Sequence, residues 1–170
     1  MKLAFKSMEW SRCPGSRKWL VVLATGFGLG LSPVASGTAG TLLGIPLAFG
    51  VAALCGGSVA GQILCAVLLA AMAIGICEAG ERHFGGKDDG RIVADEYLTF
   101  PIGLIGLPLQ PGIVVTAFLT NRVMDILKPF PARGLQRLPG GLGIVVDDAV
   151  SACYSLALNY ALVYWVGRWL

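Results

Sequence analysis

The feature that most constrains this chain is a run of 59 consecutive residues, Trp19 to Cys77, without one charged side chain. Two further uncharged stretches cover residues 97–121 and 149–167. Only 14% of the 170 residues are charged, whereas ordinary soluble domains carry roughly 25%. About 20 apolar residues span a bilayer as a helix. The composition therefore predicts one membrane-embedded domain over residues 1–170. The net charge is only +3, which does not favour nucleic acid as a partner.

Glycine, proline and charge divide the chain into helices and connections. No alternation typical of strands persists, so the predicted fold class is all-α, a compact polytopic bundle of membrane helices. Gly56-Gly57-Ser58 predicts the turn of a helical hairpin, and the glycines and Pro33 within residues 19–36 favour a short helix followed by a loop. The predicted segments are a basic N-terminus at 1–18, apolar helices within 19–77 with spans at 39–56 and 59–77, site loops at 78–96 and 121–148, and a final transmembrane helix at 149–170 ending in an interfacial belt of Trp165, Arg168 and Trp169.

The distribution of basic residues predicts the orientation. Five of them precede Trp19, namely Lys2, Lys6, Arg12, Arg17 and Lys18. By the positive-inside rule they place the N-terminus in the cytoplasm. A signal peptide ending near Gly37 is the alternative, but the long basic region favours retention of this segment. The hairpin then returns residue 78 to the cytoplasmic side.

Residues 97–121 are too rich in helix breakers to form one straight span. They contain Pro101, Pro108 and Pro111 together with three glycines, and prolines at this density break helices. We therefore expect two broken, re-entrant helices that dip into the membrane and return, which is tolerated where protein buries the irregular backbone. This arrangement brings both ends of the segment to one cytoplasmic-side acidic site.

An acidic pentad occurs twice, at Ile92–Glu96 and at Ile144–Asp148. The chain has ten acidic residues in all, and the pairs Asp95/Glu96 and Asp147/Asp148 use four of them at the edges of apolar segments. Carboxylates near hydrocarbon are costly unless they are paired or hold a metal. The repeat therefore indicates a site for a divalent cation, with one carboxylate of each pair on the metal and the other orienting a ligand or water. The alternative is that these acids have no catalytic role and are only favoured by the helix dipole at helix N-termini.

Basic residues near the second pair suggest what the cation would assist. Asp125 precedes Lys128 by one helical turn, and Lys128 and Arg133 flank Phe130-Pro131-Ala132. Lysine and arginine are the usual residues for holding phosphate, and Mg²⁺ prefers few carboxylates, retained waters and phosphate oxygens. Metal, phosphate clamp and membrane together predict a lipid phosphoester as the substrate. Asp125 and Lys128 could alternatively form a surface ion pair.

The chain resembles a known family in five segments that occur in the family's order. They are Gly28–Pro33, Gly37–Thr41, Asp88–Glu96, Asp125–Pro131 and Gly140–Asp148. These segments resemble the motifs of phosphatidylglycerophosphatase A over about residues 26–155. The resemblance implies a helical, Mg²⁺-dependent membrane enzyme that removes the terminal phosphate of phosphatidylglycerophosphate to give phosphatidylglycerol. It further implies the inner (cytoplasmic) membrane of a bacterium, with the active site facing the cytoplasm.

The resemblance and the residue chemistry together give a candidate site. The expected catalytic residues are Asp95, Glu96, Asp125, Asp147 and Asp148; the expected substrate-binding residues are Lys128, Arg133, Thr38 and Thr41; and the expected Mg²⁺ ligands are Asp88, Asp95, Glu96, Asp147 and Asp148. Thr38 and Thr41, with Ser36, lie among glycines that could serve close helix packing or present backbone N–H groups to phosphate.

The sequence departs from the family's usual pattern at two positions. Thr99 stands where a glycine often follows the central acid pair, and Asp89 stands where a basic or prolyl residue often occurs. Neither departure removes a candidate ligand.

Several alternatives remain open from the sequence. Metal-assisted attack by water and an aspartyl-phosphate intermediate are both compatible with the acids. A small cation transporter could use the same pairs, as could another lipid-phosphate phosphatase or a CDP-alcohol phosphotransferase, although the transferase motif spacing is missing. The cysteines, which include Cys13, show no metal-ligand spacing and favour neither a metal centre nor nucleophilic catalysis.

Overall fold

The structure is a computed structural model, and it describes residues 18–167, with the side chains of residues 166 and 167 excepted. Within these residues every regular element is helical and no strand occurs, which confirms the predicted all-α fold class. Most of the predicted basic N-terminus (1–18) lies outside the described residues, and only Lys18, the first residue of a helix, is described. Also outside are Cys13, and Arg168 and Trp169 of the interfacial belt. The helices are α1 (Lys18–Ala24), α2 (Ser36–Cys55), α3 (Val59–Phe84), α4 (Ala94–Thr99), α5 (Pro111–Leu127), α6 (Ala132–Leu135) and α7 (Gly141–Gly167), with 3₁₀ turns at Leu29–Leu31 and Phe100–Leu104.

Three helices are long and apolar enough to cross a membrane, namely α2, α3 and α7. Helices α2 and α3 form the predicted hairpin. Gly56 and Gly57 both adopt positive φ in its turn, a conformation that glycine enters without steric cost, and the Ser58 side chain caps α3 by accepting a hydrogen bond from the Gly61 N–H. The short helix α1, followed by turns, agrees with the prediction for residues 19–36.

Three boundaries differ from the sequence prediction. Helix α3 continues to Phe84, and its C-terminus is closed by Gly85 in the left-handed conformation. The final helix begins at Gly141 rather than at residue 149, and α5 extends to Leu127. The segments 78–96 and 121–148 are therefore partly helical. The prediction was wrong here because charged residues are common both in loops and at the ends of helices, and in this protein they occupy helix ends.

The segment between the two acid pairs runs out and back, as predicted. Helix α4 leads directly into the 3₁₀ turn at Phe100–Leu104, the chain reverses over residues 105–110, and α5 returns. The Glu96 and Arg122 side chains, near its two ends, contact each other. The reversal is fixed by side chains of neighbouring helices, because Gln62 accepts a hydrogen bond from the Gly106 N–H and Tyr160 donates one to the Ile105 carbonyl.

The apolar core lies in two adjoining clusters. One joins α1, α3, α4 and α7, and the other joins α2, α5 and the 3₁₀ turn around Phe100, which is fully buried. Much of the outer surface of α2, α3 and α5 is apolar as well, with exposed residues such as Leu54, Leu64 and Leu119. An outward apolar face of this extent is typical of helices in contact with lipid.

Candidate active site

Helices α4, α5 and α7 bring the predicted acids together at one end of the bundle. Asp95 and Glu96 lie in the first turn of α4, which is anchored because the Val93 N–H donates a hydrogen bond of 2.8 Å to the Ala24 carbonyl. Asp125 lies in the last turn of α5, and Asp147 and Asp148 lie in the second turn of α7. Asp95, Asp147 and Asp148 are buried. The structure thus gathers both acid pairs, as the sequence predicted.

Lys128 pairs with Asp147 rather than with its sequence neighbour Asp125. Its Nζ donates a hydrogen bond of 2.5 Å to Oδ2 of Asp147, whose side chain is only 2% exposed. Lys128 adopts positive φ immediately after α5, which directs the chain away at the point where the lysine meets α7. Burial lowers the pKa of Lys128, but the hydrogen bond and charge of Asp147, with Asp148 and Asp125, outweigh it and raise that pKa above the ordinary value.

Arg122 is a site residue that the sequence analysis missed. Its guanidinium forms a close ion pair with Asp125, lies 3.4 Å from Oε2 of Glu96, and donates a hydrogen bond of 2.7 Å to Oγ1 of Thr41. It therefore joins three helices, α2, α4 and α5. The available signal was an arginine in an otherwise apolar helix one turn before Asp125, a placement that requires a buried partner.

The glycines near the start of α2 allow Glu96 to approach that helix. A methyl group on Gly40 would lie 2.5 Å from Oε2 of Glu96 and 2.7 Å from Cβ of Val93, and one on Gly37 would also collide with the Glu96 carboxylate. Glu96 thus packs against the first turns of α2, where the helix dipole favours negative charge. The structure shows close packing at Gly37 and Gly40, and Thr41 reaches the acids through Arg122. The binding of phosphate by backbone N–H groups of this segment stays a prediction.

Asp88 lies at the outer edge of the acidic cluster. It is exposed, adopts positive φ, and accepts a hydrogen bond of 2.5 Å from Nε2 of Gln136. The adjacent Asp89 is held apart from the cluster by Arg91, which donates two side-chain hydrogen bonds to its carboxylate. That interaction with Arg91 outweighs partial burial and lowers the pKa of Asp89 below its ordinary value.

Burial and neighbouring negative charges disfavour ionisation of Asp95 and Glu96. Burial, then the charges of Glu96, Asp88 and Asp125, raise the pKa of Asp95 well above its ordinary value. Burial also raises the pKa of Glu96 to about 7, although the Arg122 guanidinium acts in the opposite direction. Burial is the largest cause of both shifts, so these two carboxyl groups are held toward their neutral forms unless a cation contacts them.

Two carboxylate oxygens of the cluster, Oδ1 of Asp95 and Oδ1 of Asp147, are buried without a hydrogen-bond partner among the described residues, and Oε2 of Glu96 has only the Arg122 guanidinium at 3.4 Å. Oxygens of this kind are costly unless a proton, a cation or a ligand satisfies them. No three acidic, cysteine or histidine side chains of residues 18–167 converge closely enough to form a ready-made metal centre. Mg²⁺ needs no such group, because it is usually held by one or two carboxylates together with waters and substrate phosphates. The donor set fits Mg²⁺ in this sense.

Two predicted residues stay outside this network. Arg133 lies on α6, is exposed, and has no hydrogen bond or ion pair with any described residue. Thr38 lies in the first turn of α2, and its hydroxyl contacts none of the acids within the described part of the chain. Their assignment to phosphate binding stays a prediction.

The fold and the site together define a class: an all-helical membrane protein in which broken and long helices gather buried acids, one lysine and one arginine at one end of the bundle. Comparison with known proteins specifies the family. The sequence profile of "Phosphatidylglycerophosphatase A" matches residues 22–163. The chain therefore belongs to the phosphatidylglycerophosphatase A family.

Individual relatives agree with this assignment. The chain is 35% identical to the phosphatidylglycerophosphatase A of Escherichia coli over 159 residues, covering 91% of the chain and 89% of the relative. It is 35% identical to that of Haemophilus influenzae, covering 85% and 89%. It is also 33% identical to a "Putative phosphatidylinositol-3-phosphatase" of Bacteroides thetaiotaomicron, covering 86% and 94%. No solved structure matches the chain significantly.

Proposed function

We propose that this chain hydrolyses the terminal phosphate of phosphatidylglycerophosphate, giving phosphatidylglycerol and inorganic phosphate. The observation that carries the proposal is the pairing of Lys128 with the buried Asp147, beside carboxylate oxygens that have no partner. This combination supplies both a cation for a phosphate group and anionic ligands for a metal ion, in a chain of the phosphatidylglycerophosphatase A family.

The proposed mechanism uses each group for one task. Lys128 acts as a point charge on the phosphate, and Arg122, with its planar donors, holds Glu96 and Asp125 in place and adds positive charge. A water oxygen forms the new bond to phosphorus while the bond to the head-group oxygen breaks. A carboxylate of the cluster takes the proton of that water and then gives it to the head-group oxygen, which leaves as a hydroxyl.

The proposed cofactor is Mg²⁺. One carboxylate of each pair, Asp95/Glu96 and Asp147/Asp148, would hold it, the other member of each pair would orient a water or ligand, and Asp88 lies at the outer edge. When bound, Mg²⁺ supplies charge neutralisation at the phosphate oxygens and lowers the pKa of a water. The buried atoms Oδ1 of Asp95 and Oδ1 of Asp147, which have no partner among the described residues, support this assignment, because a cation would satisfy them. A route through an aspartyl-phosphate remains the competing mechanism.

The proposed location is the inner membrane of a bacterium, with several membrane passages and the site at the cytoplasmic face. Three features support it. Three helices have the length and composition of spans, the site acids and cations cluster at one end of the bundle, and the relatives named above are bacterial proteins. The basic residues that predict the orientation precede the described part of the chain.

A second candidate substrate is phosphatidylinositol 3-phosphate, which the name of the Bacteroides relative suggests. Both lipids carry a phosphate monoester on a polyol head group. The acidic cluster and Lys128 would serve either of them, so substrate preference must come from contacts outside the cluster.

The deciding experiment measures phosphate release in detergent from phosphatidylglycerophosphate, phosphatidylinositol 3-phosphate and phosphatidic acid, with Mg²⁺ or with a chelator. Wild type is compared with Asp147→Asn and with Glu78→Gln, an exposed acid on α3 that pairs with Arg82. We expect Mg²⁺-dependent release with phosphatidylglycerophosphate as the best substrate. Asp147→Asn should reduce release by at least 100-fold, while Glu78→Gln should change it less than twofold.

Other outcomes separate the alternatives. Best activity on phosphatidylinositol 3-phosphate would replace the proposed substrate by the second candidate. A requirement for a cytidine nucleotide would indicate a transferase. Absence of release from all three lipids by folded wild type, together with cation flux in proteoliposomes, would replace the enzyme by a transporter. Release that is equal with Mg²⁺ and with chelator would overturn the cofactor assignment alone.

A further inference from the structure

A second polar layer lies one helical turn beneath the acids. Asn121 precedes Asp125 by four residues on α5, and Ser151 follows Asp147 by four residues on α7. Residues four apart share a helix face and are separated by about 6 Å along the axis. The two helices run antiparallel, since Lys128 contacts Asp147 while Thr120, earlier on α5, contacts Ser155, later on α7. Asn121 and Ser151 therefore form the floor of the acidic site.

Both residues of this layer have a buried polar atom without a partner. The Oδ1 atom of Asn121 and the Oγ atom of Ser151 make no hydrogen bond within the described chain, although the residues are only 6% and 1% exposed. Ser151 also does not donate to the carbonyl one turn earlier, as serines in helices often do. An unsatisfied buried group of this kind costs stability, so its retention calls for a ligand.

The next layer down the same helices is fully satisfied, which makes the deficiency local. Oγ1 of Thr120 lies 2.7 Å from Oγ of Ser155 and 2.8 Å from Oδ1 of Asn159, and Nδ2 of Asn159 donates to the Gly103 carbonyl at 3.0 Å. These buried polar groups saturate one another. Unpaired groups thus occur on this face only where it borders the acids.

The chemistry of the two atoms selects the kind of ligand. The amide oxygen of Asn121 accepts a hydrogen bond, and the hydroxyl of Ser151 both donates and accepts. An anionic phosphate would be repelled by the amide oxygen, and a metal ion would prefer the carboxylates one turn away. A neutral hydroxyl can donate to Asn121 and accept from Ser151 at the same time.

We infer that Asn121 and Ser151 bind the hydroxyl that the lipid head group carries on the carbon next to the phosphorylated one. This inference rests on the proposed function. The terminal phosphate is the part of such a lipid farthest from its acyl chains, so a head group whose phosphate reaches Lys128 and Asp147 places its remaining carbons on the hydrocarbon side. In the proposed orientation Asn121 and Ser151 lie on that side, because each is one helical turn from the acids toward the middle of its helix. They are specificity-determining residues for a polyol phosphate.

The test compares two lipids that differ only in this hydroxyl: phosphatidylglycerophosphate and the analogue with a propane-1,3-diol head group. Wild type should hydrolyse the glycerol lipid with a kcat/KM about tenfold higher, which corresponds to one neutral hydrogen bond. Ser151→Ala and Asn121→Leu should each remove most of this preference by slowing the glycerol lipid. The matched control is Ser155→Ala, one turn deeper on the same face, which should change both lipids by the same factor and so preserve the preference.

A second readout does not depend on activity. Ser151→Ala deletes an unsatisfied hydroxyl and should raise the midpoint of thermal unfolding without lipid, whereas Ser155→Ala breaks a hydrogen bond and should lower it. Equal kcat/KM for the two lipids in an active wild type, or a preference unchanged in Ser151→Ala, would overturn this inference while leaving the proposed function intact. A lowered midpoint for Ser151→Ala would assign the hydroxyl to the internal structure and also overturn it. Inactivity of wild type on both lipids would refute the proposed function, and this inference with it.

Discussion

Replacing Glu96 by glutamine should stabilise the protein in a way that depends on pH. Burial raises the pKa of Glu96 from 4.5 to about 7, so the folded chain binds a proton that the unfolded chain releases. The contribution of this group to stability is complete below pH 4.5 and is lost as the pH rises through 7. At 1.36 kcal/mol per pKa unit, the loss is about 3 kcal/mol. Glutamine keeps an oxygen that can accept from Arg122 and has no proton to lose.

The assay is the unfolding of wild type and Glu96→Gln by sodium dodecyl sulfate in mixed micelles, at pH 5 and pH 8, with a chelator present. We expect the free energy of unfolding of the variant to exceed that of wild type by about 3 kcal/mol at pH 8, and by 1 kcal/mol or less, roughly, at pH 5. Phosphate release should fall strongly in the variant. Added Mg²⁺ should narrow the gap at pH 8, because a bound cation favours the ionised carboxylate of wild type.

Glu78→Gln provides the control, since it removes an exposed carboxylate of the same kind and should change stability by less than about 0.5 kcal/mol at either pH. If wild type and Glu96→Gln lose stability in parallel between pH 5 and pH 8, Glu96 is not the strained carboxylate described above. Burial would then not raise the pKa of Glu96 in the folded protein.

Two further changes test the packing around the site. Lys128→Met should lower the free energy of unfolding by about 3 kcal/mol, because Asp147 is left buried without its cation; a second change, Asp147→Asn, should restore part of that loss in the same assay. Gly40→Ala should cost about 1–3 kcal/mol because the added methyl group collides with Glu96. The control is Gly50→Ala on the same helix, because a methyl group there would contact nothing within 4 Å. It should raise the free energy of unfolding by up to about 1 kcal/mol. Equal effects of the two alanine substitutions would contradict the packing explanation.

The parts of the fold that could be predicted are those with a local signal. Uncharged runs of sufficient length specify α2 and α3, and Gly56 and Gly57 specify the turn between them. The proline- and glycine-rich stretch after Glu96 specifies a chain that reverses. From that reversal alone, the sequence predicts that the two acid pairs lie on the same face. The contacts of Glu96 with Arg122 and of Asp147 with Lys128, both at the C-terminal end of α5, place the two pairs at the same end of the bundle.

The pairing of side chains within the site could not be predicted, because it depends on which helices pack together. Lys128 and Asp125 have the spacing of a helical ion pair, yet Lys128 turns to Asp147 and Asp125 takes Arg122. The reason is that α5 ends at Leu127, so Lys128 leaves the helix and faces α7. Sequence spacing describes neighbours on one helix, and this site is built between helices.

The charge balance of the site explains why so unfavourable a cluster persists in a chain of this kind. Six acids share the site, namely Asp88, Asp95, Glu96, Asp125, Asp147 and Asp148, and two cations contact them. More basic residues would stabilise the chain, but they would occupy the carboxylate oxygens that the proposed Mg²⁺ would need. Lys128 contacts Asp147 at Oδ2 and leaves Oδ1 of that buried carboxylate without a partner among the described residues. Arg122 and Lys128 therefore compensate the acidic cluster only in part, and the uncompensated carboxylates are suited to a positively charged ligand.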